Sequence, residues 1–369
     1  METALVLTDE TCGAGADVRV IPVDIAAAKA VAIATTISET ECIPLVEASG
    51  RILVGGVRAR IDLPPFDNSA MDGYAVRLAD LAGAGPWELP VRGRVAAGDC
   101  HAGQAASQGV AIRIFTGAPV PRGFDAVVMQ EHCERMGDWI SLSKRPGPGA
   151  NIRRAGEDVA GGGGLMRAGD QLSPQRLALL GGQGFDEIEV LRKVRIGLIW
   201  TGSELCDSGE PLGPGQIYNS NRIMIRAMLS ASPWAEIVDY GIVPDRQDAL
   251  AEAFGKAASY CDVLVTTGGV SAGEEDHVVS ALDRHGGTLD VLKVAMRPGK
   301  PVKIGMIGSM LFAGLPGNPN AALVTFRQIA LPAIRTTAAS AGWDRNGLRR
   351  SLDSPMKGAS AERNSFLSG

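Results

Sequence analysis

What this sequence lacks narrows it first. Aromatic residues make up only 5% of its 369 positions, too few for a stacking surface that reads single-stranded nucleic acid. Formal net charge is −5, and the densest basic spots, Arg153–Arg154 and Arg349–Arg350, are isolated pairs. Neither a nucleic-acid duplex nor an anionic membrane is therefore an expected partner. No apolar run approaches the roughly 18 residues of a membrane span, and Met1 to Gly15 carries acids without the basic stretch of a secretory leader. The six cysteines (Cys12, Cys42, Cys100, Cys133, Cys206, Cys261) are scattered with no C-x-x-C pair. They read as reduced thiols, and the expected compartment is the cytoplasm. The four histidines do not form a zinc set by spacing. His132 adjoins Cys133, and strand neighbours point to opposite faces.

What is present is ordinary globular material, 45% hydrophobic and 21% charged. The length predicts two to four domains of about 100–200 residues each. Up to about Val20 no period emerges. Asp24 is placed to cap an Ala-rich helix over Ile25–Ile37, and Ile43–Val46 reads as an edge strand that tolerates Pro44. From Ile61 to Ile152 short apolar runs alternate with Gly, Pro and Asp, the texture of a mainly-β module. Its expected strands are Tyr74–Val76, Leu89–Val95, Val110–Phe115, Ala126–Met129 and Trp139–Leu142. Gly161–Gly164 reads as a flexible joint, and Ser173 with Pro174 as a helix start. Beyond Arg195, strands (Arg195–Trp200, Glu236–Val243, Asp262–Thr267) alternate with helices (Asn219 or Ser220 to Leu229, Arg246–Tyr260, Asp276–His285). A hairpin over Val302–Met306 and Met310–Ala313 and a long helix over Asn320–Ile334 complete the pattern. Such alternation predicts a largely parallel sheet covered on both faces.

Open α/β sheets bind ligands beyond the carboxyl ends of their strands. Three loops are expected there: Thr201-Gly202-Ser203-Glu204-Leu205, Thr266-Thr267-Gly268-Gly269-Val270-Ser271 and Leu315-Pro316-Gly317-Asn318-Pro319-Asn320. Each combines glycine, which lets backbone N–H groups close on an oxyanion, with hydroxyl or amide side chains. Any one of them alone is explained as a turn; three at one sheet edge point to a phosphorylated ligand. Glu204, and Glu274, Glu275 and Asp276 after the second loop, add carboxylates. Asp276 is also placed to cap a helix, but acids around an anion site suggest a bridging Mg²⁺. Arg297 and Lys300, in Met296-Arg297-Pro298-Gly299-Lys300-Pro301, are candidate cations for phosphate or a tetrahedral oxyanion. A separate polar loop, Pro64 to Val76, carries Asp67, Asn68, Ser69 and Asp72. Asx-type turns account for Asp67 and Asn68, less well for Asp72 after the apolar Ala70-Met71.

Eight collinear motifs carry a family resemblance. They are Pro65-Phe66-Asp67-Asn68-Ser69-Ala70-Met71-Asp72-Gly73-Tyr74-Ala75, Arg113-Ile114-Phe115-Thr116-Gly117-Ala118-Pro119-Val120-Pro121, Gly156-Glu157-Asp158, Thr201-Gly202-Ser203-Glu204-Leu205, Ile217-Tyr218-Asn219-Ser220-Asn221, Thr267-Gly268-Gly269-Val270-Ser271, Arg297-Pro298-Gly299-Lys300-Pro301 and Leu315-Pro316-Gly317-Asn318-Pro319. Over Ile21 to Pro332 the chain resembles the molybdopterin molybdenumtransferases, the family of MoeA and the gephyrin E domain.

The resemblance implies an α/β multidomain fold. A tail would cover 1–20, a discontinuous linking domain 21–58 and 159–192, and an inserted mainly-β domain 59–158. A three-layer α/β molybdopterin-binding domain with a parallel-rich sheet would cover 193–335. Residues 336–369 would be a shortened remnant of the C-terminal β-barrel that family members usually carry. The implied reaction inserts molybdate into adenylylated molybdopterin with Mg²⁺-dependent release of AMP. By the same resemblance Asp72, Glu204, Asp276 and Lys300 are the catalytic set, and Glu204, Asp276 and Asp158 hold the metal. Thr116, Thr201, Gly202, Ser203, Asp245, Gly268, Gly269, Ser271, Arg297, Pro316, Gly317 and Asn318 bind the cofactor. Many relatives carry Lys where Arg297 stands, which keeps the charge but alters the geometry. The implied assembly is a homodimer, with Asp72, Thr116 and Asp158 reaching across it, and a molybdopterin adenylyltransferase is the implied hand-over partner. Two other readings remain open at this point: a non-catalytic molybdopterin-binding scaffold, and molybdopterin adenylylation itself.

Overall fold

The computed structural model describes residues 20–99, 107–268, 277–298 and 301–339. These fall into two compact units. The first comprises 20–55, 168–177 and 187 onward; the second comprises 56–167 and 178–186.

A six-stranded sheet forms the centre of the first unit. Its order is Ala235–Val243, Val194–Thr201, Val263–Thr267, Met310–Leu315, Val302–Ile307, Thr288–Leu292. The first four strands are mutually parallel, and the last two join antiparallel. Strands buried on both faces favour near-continuous apolar runs, as the inner strands show in Val263-Leu264-Val265 and Met310–Leu315. Ile196, Leu198, Trp200, Val265 and Ala313 face a core with Ile225 and Leu229 of the helix Ser220–Ser230, Phe326 and Ile329 further along, and Ala26 and Ala30 of the helix Val23–Ile33. On the other face Ile199, Leu264 and Phe312 pack on Leu250, Phe254 and Ala257 of Gln247–Ala258 and on Val278 and Leu282 of His277–Arg284. Thr40–Pro44 and Glu187–Leu191 form an antiparallel pair beside this sheet.

The second unit is built on a mixed sheet in the order Ala126–Met129, Gly73–Val76, Ala111–Ile114, Trp87–Val95, Trp139–Leu142, Cys133–Met136. Apolar clusters lie on both faces, one around Tyr74, Val76, Leu89 and Ile140, the other around Ile112, Ile114 and Val127. Gly73 is obligatory: a Cβ there would sit 2.0 Å from the carbonyl oxygen of Val128 on the paired strand. Any side chain would push the strand apart immediately beside Asp72.

Several sequence expectations need correction, each for a local reason. The helix Val23–Ile33 starts before Asp24, with Pro22 at the cap and no side-chain cap bond. Asp24 therefore lies in the first turn, where its charge still suits the helix dipole. The helix stops short of Ile37, whose N–H donates to Thr337 O at 2.9 Å. The strand placed at Ile43–Val46 is Thr40–Pro44, followed by a 3₁₀ turn at Leu45–Glu47. Gly161–Gly164 is not a loose joint: Gly162 N donates to Ala59 O, Ala59 N to Gly163 O, both 2.8 Å, and Gly164 opens a strand paired with Val57–Arg58. The long helix at Asn320–Ile334 is Pro319–Thr325, a π-helical turn over Phe326–Ala330, and Leu331–Thr337. Pro332 has no N–H for the carbonyl four residues back, and the wider turn precedes it. Two strands absent from the expectation, Cys133–Met136 and Thr288–Leu292, are sheet edges with mostly exposed residues, where the apolar signal is weakest.

One buried carboxylate ties this architecture together near the functional end. Asp239 accepts from Trp200 Nε1 (3.0 Å), Gly241 N (2.9 Å), Arg222 Nε (2.9 Å) and Arg226 Nη1 (2.6 Å). It thus joins two strands to the helix Ser220–Ser230. Burial pushes its carboxyl pKa up, but the bonds from Gly241, Trp200, Arg226 and Arg222 outweigh that and hold it below its ordinary value. Its contribution is present above the unfolded carboxylate range and is lost as pH falls through the lower folded value. Asp239→Ala is expected to lower the unfolding free energy by about 3–5 kcal/mol, because it strands a partly buried guanidinium and the indole N–H. Urea denaturation at neutral pH measures this, and the variant's stability should also depend less on pH in the acid limb.

Candidate active site

The register of the parallel strands brings their carboxyl ends to one rim: Thr201 lies opposite Val243, Trp200 opposite Thr267, and Thr267 opposite Leu315. The loops that leave this rim touch. Gly268 has φ +90°, and a Cβ on it would lie 2.1 Å from Thr201 O. Its N–H donates to Leu315 O at 3.2 Å. A Cβ on Gly317 would lie 3.9 Å from Gly268 Cα, and Gly317 O accepts from Asn221 Nδ2 at 2.8 Å. Asn318 Oδ1 caps the helix Pro319–Thr325 through Asn320 N (3.1 Å) and Ala321 N (3.2 Å). Its side chain therefore has a structural task.

Polar atoms at this rim are buried without a hydrogen-bond partner among the described residues. Five of the eight such atoms belong to it: Thr201 Oγ1, Thr266 Oγ1, Asn219 Nδ2, Asn221 Oδ1 and Asp245 Oδ1. Leaving one such group unpaired costs about 1–3 kcal/mol, so their concentration at one place marks a site built to meet a polar ligand. Sequence reading assigned Asn219 only to a helix cap, which it does provide by accepting from Arg222 N at 3.1 Å. It placed Thr266 in a candidate ligand loop without giving it a role of its own, and it did not select Asn221 for the site. The only available signal was two amides flanking a helix start that also sat in a motif.

Glu204 is exposed, with both carboxylate oxygens 2.7 Å from where a Cβ on Gly202 would be. Ser203 is exposed beside it, and Pro316 lies buried before Gly317. Arg297 is exposed before Pro298. Asp276, Lys300, Gly269 and Ser271 lie outside the described residues. Lys303 was not singled out in the sequence. It is 2% exposed and stands in register with Gly314, itself paired with Thr266. Burial pushes its pKa down from 10.5 to about 8. The signal was a lysine inside an otherwise apolar strand, Val302-Lys303-Ile304-Gly305-Met306.

In the mainly-β unit Asp72 Oδ1 accepts from both the N–H and the hydroxyl of Thr116, each at 2.8 Å. The backbone bond first, then the hydroxyl, and then Arg113 hold the Asp72 carboxyl below its ordinary value. Asp67 accepts from Ala155 N at 2.9 Å and pairs with Arg154. Asp158 pairs with Arg153. Among the described residues no three His, Cys, Asp or Glu side chains converge as a metal cage. Mg²⁺ needs no such cage, since one or two carboxylates suffice when phosphate oxygens and water complete the shell. The orphaned Asp245 Oδ1 and the Glu204 carboxylate are compatible with that donor chemistry.

Known proteins match this arrangement along most of the chain. Residues 21–184 match the family described as the MoeA N-terminal region (domain I and II), and residues 197–336 match a probable molybdopterin binding domain. A relative from Haemophilus influenzae named molybdopterin molybdenumtransferase is 41% identical over 307 residues, covering 83% of this chain and 75% of its own. One of the same name from Nostoc is 37% identical over 318 residues, covering 83% and 71%. The solved molybdopterin biosynthesis moeA protein of Pyrococcus horikoshii OT3 superposes with a TM-score of 0.73 at 31% identity, covering 87% of this chain and 80% of that one. These matches define a multidomain α/β protein that joins a MoeA N-terminal region to a molybdopterin-binding domain. The chain belongs to the molybdopterin molybdenumtransferases, a family of enzymes.

Two outcomes follow from the titrating groups. Thr116→Val should move the Asp72 carboxyl back up toward its ordinary value without changing the unfolding midpoint, read by carboxyl NMR titration and a thermal melt. Folded Lys303 loses its proton near pH 8, before the unfolded chain does near 10.5. The unfolded state binds more protons in that window, so stability should rise with pH across it. Lys303→Met should flatten that rise in denaturant melts between pH 7.5 and 10.

Proposed function

We propose that this protein works in molybdenum cofactor biosynthesis, taking adenylylated molybdopterin and molybdate, releasing AMP and leaving molybdenum on the pterin dithiolene. The observation that carries this reading is the set of orphaned polar atoms on Thr201, Thr266, Asn219, Asn221 and Asp245 at the carboxyl rim of a molybdopterin-type α/β sheet. Breaking the phosphoanhydride to AMP demands charge neutralisation and an oxygen nucleophile, from water or molybdate, placed in line with the bond.

The residues divide these tasks. Thr201 and Thr266 offer hydroxyls, and Asn219 and Asn221 offer amide groups, that bind and orient the pterin phosphate. The Gly202 and Gly268 turns let the chain approach that phosphate closely, Gly269 and Ser271 are further candidate contacts to it, and Pro316, Gly317 and Asn318 complete the binding set. Arg297 and Lys300 supply positive charge for phosphate or molybdate. Mg²⁺, when bound, would neutralise charge on the phosphoryl oxygens, with Glu204, Asp276, Asp245 and Asp158 as its candidate carboxylates. Asp72, held deprotonated by Thr116, is a poor proton acceptor at neutral pH. Its role is to orient and to offer a fixed negative charge.

The same reading makes the protein a cytoplasmic homodimer that accepts its substrate from a molybdopterin adenylyltransferase. Neither nucleic acid nor membrane enters it. The net charge is −5, and no helix among the described residues is long and apolar enough to cross a membrane. The decisive assay is molybdate-dependent AMP release from adenylylated molybdopterin. Asp245→Asn and Glu204→Gln should each slow it at least about tenfold with an unchanged melt. Folded protein that releases no AMP would overturn the proposal.

A further inference from the structure

The α/β unit holds a second group of unpaired polar atoms, away from the carboxyl rim. Of the three buried orphans outside that rim, two are guanidinium nitrogens, Arg51 Nε and Arg195 Nε. Both residues line one cavity of about 440 Å³. Arg195 stands one residue into the strand Val194–Thr201, in register with Glu236, which is also on the wall. At about 3.3 Å per residue the cavity lies roughly 20 Å from Thr201, at the amino end of the parallel strands. Arg51 is 5% exposed. Its Nη2 donates to Leu191 O at 2.7 Å and pairs with Glu41, and its Nε has no acceptor among the described residues. The Arg195 guanidinium stacks 4.4 Å from the Tyr260 ring centroid, so one face is covered and the edge is left for hydrogen bonding.

Charge on the wall decides what fits. Arg192 is already spent, donating to both oxygens of Asp262 at 2.7 and 2.8 Å and pairing with Glu39. Arg51, Lys193 and Arg195 then face Glu41, Glu47 and Glu236. Two buried guanidinium N–H groups call for an oxyanion. A simple anion would sit among three carboxylates, and a simple cation would leave both N–H groups unpaired. A zwitterion, with carboxylate and ammonium a few ångströms apart, meets both signs and adds no net charge. Glu47 is exposed at the end of the 3₁₀ turn Leu45–Glu47 and has no partner among the described residues. Glu236 accepts from the Tyr260 hydroxyl at 2.9 Å through one oxygen, and its other oxygen is available. The volume falls in the range of small-ligand sites.

We propose that this cavity binds a free α-amino acid, its carboxylate taken by Arg51 Nε, Arg195 Nε and Lys193 and its ammonium by Glu47 and Glu236. The site goes beyond the reaction proposed above and does not depend on it. Calorimetric titration of the full chain with each of the twenty standard amino acids, acetate, methylammonium and inorganic phosphate tests it. At least one amino acid should bind at least tenfold more tightly than any of the three simple ions. Arg195→Gln should weaken that amino acid at least tenfold. Glu47→Gln, an exposed change, keeps the test open even where Arg195→Gln lowers the melt. It should weaken the amino acid at least fivefold with an unchanged melt. It should leave untouched the affinity of the same molecule with hydrogen in place of the ammonium. Failure of every amino acid to bind, acetate or phosphate binding as tightly, or an affinity unmoved in Glu47→Gln would each overturn the site.

Discussion

The close approach of Gly268 to the Thr201 carbonyl is the constraint on which the site depends. A Cβ at Gly268 would stand 2.1 Å from that oxygen, and φ is +90°, a backbone conformation that other residues adopt only under strain. Because the backbone closes here, the ends of Val194–Thr201, Val263–Thr267 and Met310–Leu315 meet instead of splaying, and Gly317 can reach the same point. The twisted sheet then supplies a rigid floor, and the loops need little further ordering when a ligand arrives.

Around that floor the protein balances two kinds of polar burial. Asp239 is saturated with hydrogen bonds and anchors the helix Ser220–Ser230. The first turn of that helix carries Asn221, which reaches Gly317. A satisfied network fixes position; a few ångströms along the chain, unsatisfied hydroxyl and amide atoms hold free energy that binding can recover. Stability and function are thus separated between neighbouring residues of one element. In the mainly-β unit the same economy appears at Asp72, whose geometry is set by Thr116 and by a Gly73 that no other residue can replace.

Much of this was legible in the sequence. The strands Ala126–Met129 and Trp139–Leu142 follow directly from their apolar runs between turn residues. The hairpin expected over Val302–Met306 and Met310–Ala313, the helix cap placed at Asn219 or Ser220 and the Ser173–Pro174 helix start were also readable, because each depends on residues within a few positions of one another. The edge strands Cys133–Met136 and Thr288–Leu292 were not, since an exposed edge has no need of an apolar pattern. Nor was the π-helical turn before Pro332, because its width depends on where the missing N–H falls in a helix packed on both flanks.

By itself, then, the sequence determined the alternation of strands and helices, the two textures of the chain and the three glycine loops, since these arise from local propensity and periodicity. Only the tertiary structure decided that Asn219 and Asn221 leave buried, unpaired amide atoms at the rim of Thr201, Thr266 and Asp245, that Lys303 is buried beneath it, and that Arg94, Arg113 and Phe115 stack in one cleft. Those residues are far apart in the chain, and the strand register that aligns them is a property of pairing between segments, which no single segment encodes.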